Sequence, residues 1–336
     1  MNRATALPEE TLMKNPSRRA FRWLLLAALG AAGSLHATEY PNRPIKLVVP
    51  APPAGTIDIM ARLIATRLTQ AWKQPVVVEN RLGAHGMIGT AAVARSAPDG
   101  YTVLITVAAL VGSPHLYPKL PYDIFKDFSP VTMLASTSVV LAVGPAMPVS
   151  TLEEFVQLAR ARPGQYSYAS PGAGSAAHVY GETLNAEAAL KLLHVPYKGE
   201  AAMVNDLLGG NVSAAFTSAS VLIQQVAAGK LRLLASTGPR RLPMFPNLPT
   251  FGEAGYAGFD SAGWVGLLVP AGTPKEIIER LATQSQQILR EPEVANRLAE
   301  LGYVPRAASA PEFAAVMKAD YLAWGARIRR AGIKLD

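Results

Sequence analysis

Two stretches of the chain set small, uncharged residues between a strand and a helix. In "VVPAPPAGTIDIMARLIATRL" an apolar run ends at Val48-Val49, and helical spacing begins at Ile57. Pro52 and Pro53 fix φ and remove two donors, while Gly55 lets a ligand approach the backbone. Thr56 is a suitable N-cap. The first N–H groups of a helix lack intrahelical partners and carry partial positive charge, so this junction can hold an anion without a lysine. It lacks the Gly-Lys-Ser/Thr ending of a nucleotide P-loop, which favours a carboxylate over a polyphosphate. The simpler alternative is a tight turn before a capped helix, with no ligand. Asp58 either complements the helix dipole, with Arg62 one turn on, or contacts a ligand or water.

The second stretch, "YSYASPGAGSAAHVYGETL", has the same order of strand, glycine loop and helix. Ser170, Gly172, Gly174 and Ser175 offer hydroxyls and close N–H groups at another helix start. His178, one turn in, reads as a partly buried histidine with its partners satisfied. Two such helix starts facing one cleft would hold both ends of a dicarboxylate, or one acid group and a polar tail.

Catalytic readings are poor. There is no G-x-S-x-G elbow, and a serine one helical turn from a histidine is not a triad. His36, His85, His115, His178 and His194 show no metal-ligand spacing. The carboxylates Glu79, Asp99, Asp123, Asp127, Glu182 and Asp206 are scattered, without an acid–base pair. The residues therefore offer no catalytic constellation and no metal site.

The elements around these junctions alternate. Ile45–Pro50 reads as a strand, Ile57–Trp72 as a helix, Pro75–Glu79 as a strand, Met87–Arg95 as a helix and Tyr101–Val107 as a strand. Ile57, Met60, Ala61, Ile64, Ala65 and Leu68 share one face of the first helix. A second series runs from the helix Thr151–Arg162 to the strand Leu231–Ser236, taking in Tyr166–Ser170, Ser175–Leu190, Leu193–Pro196, Glu200–Leu208, Val212–Phe216 and Val221–Ala228. Between the series, "FSPVTMLASTSVVLAVGPAM" can cross from one domain to the other, and "LRLLASTG" and "GWVGLLVPAG" can cross back. Pro274–Leu289, Pro292–Leu301 and Pro311–Ala331 read as helices. The pattern predicts two α/β domains with mostly parallel sheets flanked by helices, the second inserted into the first. The expected division is 38–140 and 235–336 for the first domain and 141–234 for the second. Several crossings favour a hinge and a cleft.

With 336 residues, 50% of them hydrophobic and 17% charged, the chain is globular in composition and long enough for two domains. Cysteine is absent, which excludes thiol catalysis, thiolate metal sites and disulfides. Arginines at 18, 19 and 22 precede a short apolar run from Trp23 to Gly33 and then Ala37, which predicts a cleavable signal peptide over 1–37. "SRRAFRW" also resembles a twin-arginine export signal. The formal charge is +8, and residues 1–37 hold five basic and two acidic side chains, leaving about +5 beyond them. The basic residues are dispersed, so nucleic acid is not an expected partner.

In order and spacing, "YPNRPIKLVVPAPPAGTIDIMARLIA", "PVVVENRLGAHGMIGTAAVARSAPDGYT", "LPYDIFKDFSPV", "YASPGAGSAAH", "HVPYKGEAAMVNDLLGGNV" and "GLLVPAGTP" resemble the Bug proteins. These are the extracytoplasmic receptors of tripartite tricarboxylate transporters, the TctC family. The resemblance covers Tyr40 to Asp336. It implies a periplasmic, monomeric type II (Venus-flytrap) binding protein, without catalytic residues or cofactor, whose cleft closes on a small di- or tricarboxylate, acidic amino acid or aromatic acid. It also implies delivery to membrane transporter subunits. By position it carries ligand contacts to Pro53, Ala54, Gly55, Thr56, Asp58, Ala108 and Ala109 in the first domain, and to Ser170, Gly174, Ser175, Ala176 and Thr217 in the second.

The sequence departs from the family where Ala54-Gly55 replaces two glycines and Leu82-Gly83 replaces proline-glycine. It also departs where Ser213 and Thr217 stand at positions that often carry acids. The last departure argues against an amino-acid ligand and for a plain organic acid. A sensory receptor docking on a membrane signalling protein is the alternative function. A periplasmic hydrolase would need a nucleophile beside a base.

Overall fold

The computed structural model describes Met1 and residues 40–333. The signal-peptide reading, with its cut after Ala37, falls on residues outside those described. The chain divides into two units, Met1–Asn42 and Arg43–Asp336, and the second carries the fold.

Two sheets organise that unit. The first has the order β11-β4-β10-β3-β1-β2, built from β1 (Ile45–Val49), β2 (Val76–Asn80), β3 (Thr102–Val107), β4 (Phe128–Thr137), β10 (Gly263–Pro270) and β11 (Val304–Ala308). The second has the order β7-β6-β8-β5-β9, from β5 (Val139–Val143), β6 (Ser167–Ser170), β7 (Leu193–Pro196), β8 (Ala214–Ser218) and β9 (Arg232–Ser236). The chain passes from first sheet to second at Ser138, and returns between β9 and β10.

Ten α-helices accompany the sheets among the described residues. They are α1 (Thr56–Trp72), α2 (Met87–Ala94), α3 (Ala109–Leu116), α4 (Leu152–Ala161), α5 (Ala176–Glu187), α6 (Glu200–Gly209), α7 (Ile223–Ala227), α8 (Lys275–Leu289), α9 (Pro292–Glu300) and α10 (Ala310–Arg330). None is long and apolar enough to cross a membrane.

The sheets are mixed, not mostly parallel. β1 pairs in parallel with β2 and β3, and β6 with β7 and β8. β10 is antiparallel to β3 and β4, β11 to β4, and β5 to β8 and β9. Parallel neighbours need a crossover helix. The strands that carry the chain between sheets have none, so they enter running the other way.

Each sheet has its own core. Val48, Leu104, Val111, Met133, Trp264, Phe313 and Trp324 cluster around the first. In the second, β5 alternates, as a strand buried on both faces must. Leu141 and Val143 join Phe155, Tyr168, Leu184, Phe251 and Phe259, while Val140 and Ala142 join Met203, Leu207 and Leu222.

Helix α10 ties the lobes. Gly112 of α3 lies under Trp324, where an added Cβ would come within 2.6 Å of the ring. Trp324 is also tilted against Tyr180 of α5 at 6.3 Å. Asp320 accepts from Trp264 Nε1 at 2.8 Å and Ser261 Oγ at 3.0 Å. Arg327 reaches back to the Gly258 carbonyl at 2.7 Å and Asp260 at 3.0 Å.

Candidate functional site

Within each sheet, the parallel strands end on one edge. Val49, Asn80 and Val107 close β1, β2 and β3, and Ser170, Pro196 and Ser218 close β6, β7 and β8. Both glycine loops leave from these edges. The two edges approach one another in three places. Ala176, the first residue of α5, packs against the first lobe's cluster, which contains Ala108 and Leu110, and Val179 is a member of it. Gly302 abuts Ser220, where an added Cβ would meet Ser220 Cβ at 2.9 Å. Tyr303 hydrogen-bonds Thr56 on the first edge and feels the charge of Glu200 on the second.

The first loop is held from inside. Asp58 is 2% exposed. Its Oδ2 accepts from the Ala54 N–H and from Arg62 Nε, and its Oδ1 from Asn80 Nδ2, each at 2.9 Å. Asn80 also donates to the Ala51 carbonyl at 3.1 Å. Burial pushes the Asp58 carboxyl up. The bonds from Arg62, Ala54 and Asn80 outweigh it and leave the group below its ordinary value. Asp58 thus fixes the loop's shape from beneath.

Two local expectations change. Gly55, not Thr56, is the N-cap of α1, without a side-chain cap, and the Thr56 hydroxyl meets Tyr303 instead. The left-handed residue of the loop is Ala54, at φ 63°, whereas Gly55 is extended at φ −73° and ψ 164°. Pro53 and Ala54 are exposed, and Gly55 and Thr56 half-buried. At the end of β3, Ala108 is buried and donates to the Trp264 carbonyl at 3.1 Å; Ala109 starts α3.

In the second loop Ser175 is the N-cap of α5. Its Oγ accepts from the His178 N–H at 3.2 Å and donates to the Gly172 carbonyl at 2.7 Å. Gly174, at φ +77°, donates its N–H to His178 Nδ1 at 3.1 Å, so the His178 proton sits on Nε2. His178 stacks on His194 at 4.1 Å, and His194 on Tyr168 at 4.9 Å. Burial lowers both histidines, and with His178 beside it His194 falls to about 4.

Sequence reasoning missed that His194 Nε2 lies 2.7 Å from Ser170 Oγ. The pair has hydroxyl and imidazole in contact, but Ser170 is fully buried, and a histidine that holds its proton so weakly is a poor base at neutral pH. The pair supports the loop floor.

Sequence reasoning also missed Glu200. It is the first residue of α6, partly buried, directly after Gly199 at φ +125°. Its Oε1 accepts from Thr217 Oγ1 at 3.2 Å, and it takes a backbone bond from Ser218. Burial pushes its carboxyl above the usual range against those bonds. Thr217, 1% exposed, thus carries an acid on its hydroxyl. The available signal was a third strand–glycine–helix junction, "PYKGEAA". Ser213 lies elsewhere, exchanging bonds with Ser167 at 3.2 and 3.3 Å at the start of β6 and β8.

The sequence profile of the tripartite tricarboxylate transporter family receptor matches residues 60–333. Protein BugT of Bordetella pertussis is 35% identical over 314 residues, covering 93% of this chain and 96% of its own. Among solved structures, R. palustris Rpa4515 with adipate superposes with a TM-score of 0.81 at 33% identity, over 88% of this chain and all of that one. MatC from Rhodopseudomonas palustris with bound malate gives 0.77 at 29% identity, over 86% of this chain and all of that one.

Proposed function

Because the chain belongs to the tripartite tricarboxylate transporter family of receptors, we propose that it is a periplasmic receptor that captures a small carboxylate between its two lobes. The observation that carries this reading is the pair of small-residue loops at the starts of α1 and α5. Their helices begin on the sheet edges that approach one another, and their first N–H groups are suited to an anion. The adipate and malate held by two similar proteins are both small dicarboxylates. Binding rather than catalysis follows from the family. The contacts we propose are Gly55, Thr56, Ala108, Ala109, Ser175, Ala176 and Thr217, with Asp58, Ser170 and Gly174 shaping the loops beneath them. Pro53 and Ala54 form the outer lip.

The division at about residues 140 and 235 is supported by the two changes of sheet. The packing of Phe251 and Phe259 in the second core extends that domain beyond 234. Delivery as a monomer to membrane transporter subunits completes the proposal.

A thermal-shift screen of residues 38–336 against organic acids and amino acids tests it. A ligand at 100 times its Kd should add about 2.7 kcal/mol of stability. Failure of every carboxylate to shift the transition would overturn the reading.

A further inference from the structure

We infer that Glu200 is the specificity-determining residue of this cleft, selecting a carboxylate that also carries a cationic amino group. The inference rests on the receptor reading above. Glu200 sits on the second lobe's edge beside Thr217 and Ser218, and its charge is felt at Tyr303 of the other lobe. An ionised carboxylate offers about four acceptor directions. Thr217 and the Ser218 N–H use two.

Among the described residues, no Lys or Arg forms an ion pair with Glu200. On the first lobe, by contrast, the buried Asp58 is compensated by Arg62, and the partly buried Glu79 by Arg81 and Lys46. An acid withdrawn from water without a counter-charge either keeps its proton or takes a bound cation, and a cation beside it favours the ionised form. The same charge opposes a second carboxylate placed against it. The first lobe's loop and the start of α5 provide anion-binding N–H groups, and Glu200, at the start of α6 on the second lobe's edge, provides the complementary site for a cation. This is the chemistry of a zwitterion, with its carboxylate at the helix starts and its ammonium at Glu200.

This reverses the expectation drawn from Ser213 and Thr217. Ser213 is at the far end of its strand, and the acid that Thr217 lacks is supplied to its hydroxyl by Glu200.

The test uses matched probes that differ only in the amino group: L-aspartate against succinate, and L-glutamate against glutarate. Isothermal titration is run on wild type, Glu200→Gln and Glu200→Ala, with thermal unfolding of each as a fold control. Glu200→Gln keeps an acceptor for Thr217 and removes the charge. Wild type is expected to favour the amino member of at least one pair by about tenfold or more, as a charge-assisted bond implies. Glu200→Gln should erase that preference by weakening the amino acid and strengthening the plain diacid, and Glu200→Ala should do likewise. A wild-type preference for the plain diacids, or an amino preference that both folded variants retain, overturns the role of Glu200 and leaves the receptor reading standing. Absence of binding by all four probes overturns the role too, and a negative organic-acid screen then removes the receptor reading with it.

Discussion

Replacing Asp58 by asparagine removes one charge and almost no volume, which isolates the hydrogen-bonding role. Asp58 Oδ2 receives two donors and Oδ1 one. An amide has a single acceptor oxygen. If that oxygen keeps Ala54 and Arg62, the amide NH2 faces the Asn80 NH2. Asn80 cannot turn to help, because its Nδ2 holds the Ala51 carbonyl and its Oδ1 accepts from Arg62 Nη2 at 3.1 Å. If the amide flips, its NH2 opposes both the Ala54 N–H and Arg62. Either way a buried donor meets a donor, which costs about 1–3 kcal/mol. The Arg62 ion pair adds little, since that side chain is half exposed.

The folded pKa of Asp58 is depressed. Its stabilisation is therefore complete above the ordinary aspartate value of about 3.9, and is lost as pH falls through the folded value. Urea unfolding at pH 7 should show Asp58→Asn less stable by about 1–3 kcal/mol, with weaker carboxylate binding by titration calorimetry because Ala54 is released. The gap should narrow below about pH 4. A variant as stable as wild type at pH 7 with undiminished affinity, or a gap indifferent to pH, would refute the argument.

Ala54→Gly relieves a left-handed alanine, worth about 1–2 kcal/mol, against about 0.5–1 kcal/mol of added chain entropy. A small net gain in urea unfolding is expected, and a clear loss would count against it. Gly55→Ala should fold as wild type, because an added Cβ meets only the Pro52 carbonyl at 3.5 Å. If its carboxylate affinity also holds, the loop is a turn and nothing more. Gly302→Ala puts a Cβ 2.9 Å from Ser220 at φ +77°, an overpacking cost of about 1–3 kcal/mol. Scattering at ligand saturation should give a larger radius of gyration than wild type, and identical profiles would exclude Gly302 from the lobe contact.

Periodicity found most of this fold because the long elements obey it. Met60, Ala61, Ile64, Ala65 and Leu68 are buried along α1 as their spacing requires. Two short or interrupted elements were silent. Helix α3 carries Gly112 and Pro114, and the partly buried edge strand β11 reads Val-Pro-Arg-Ala-Ala. The loops themselves were legible as helix starts because glycine, serine and proline have local reasons to stand there. The groups beneath them were not. Asp58 reads as a dipole partner or a ligand contact and nothing in the sequence singles out Glu200, since their partners, Asn80 and Thr217, are 22 and 17 residues away. His194 meets Ser170 only after β6 and β7 pair.

The burial of Trp264 and Trp324, 0% and 3% exposed, gives the protein an optical reporter of its own. One indole is bonded to the Asp320 that anchors α10, and the other rests near a tyrosine of the opposite lobe. Any rotation of one lobe against the other must change the spacing of Trp324 and Tyr180, and with it the quenching and energy transfer between those rings. Ligand capture can then be followed by intrinsic emission, with no label attached and no residue replaced.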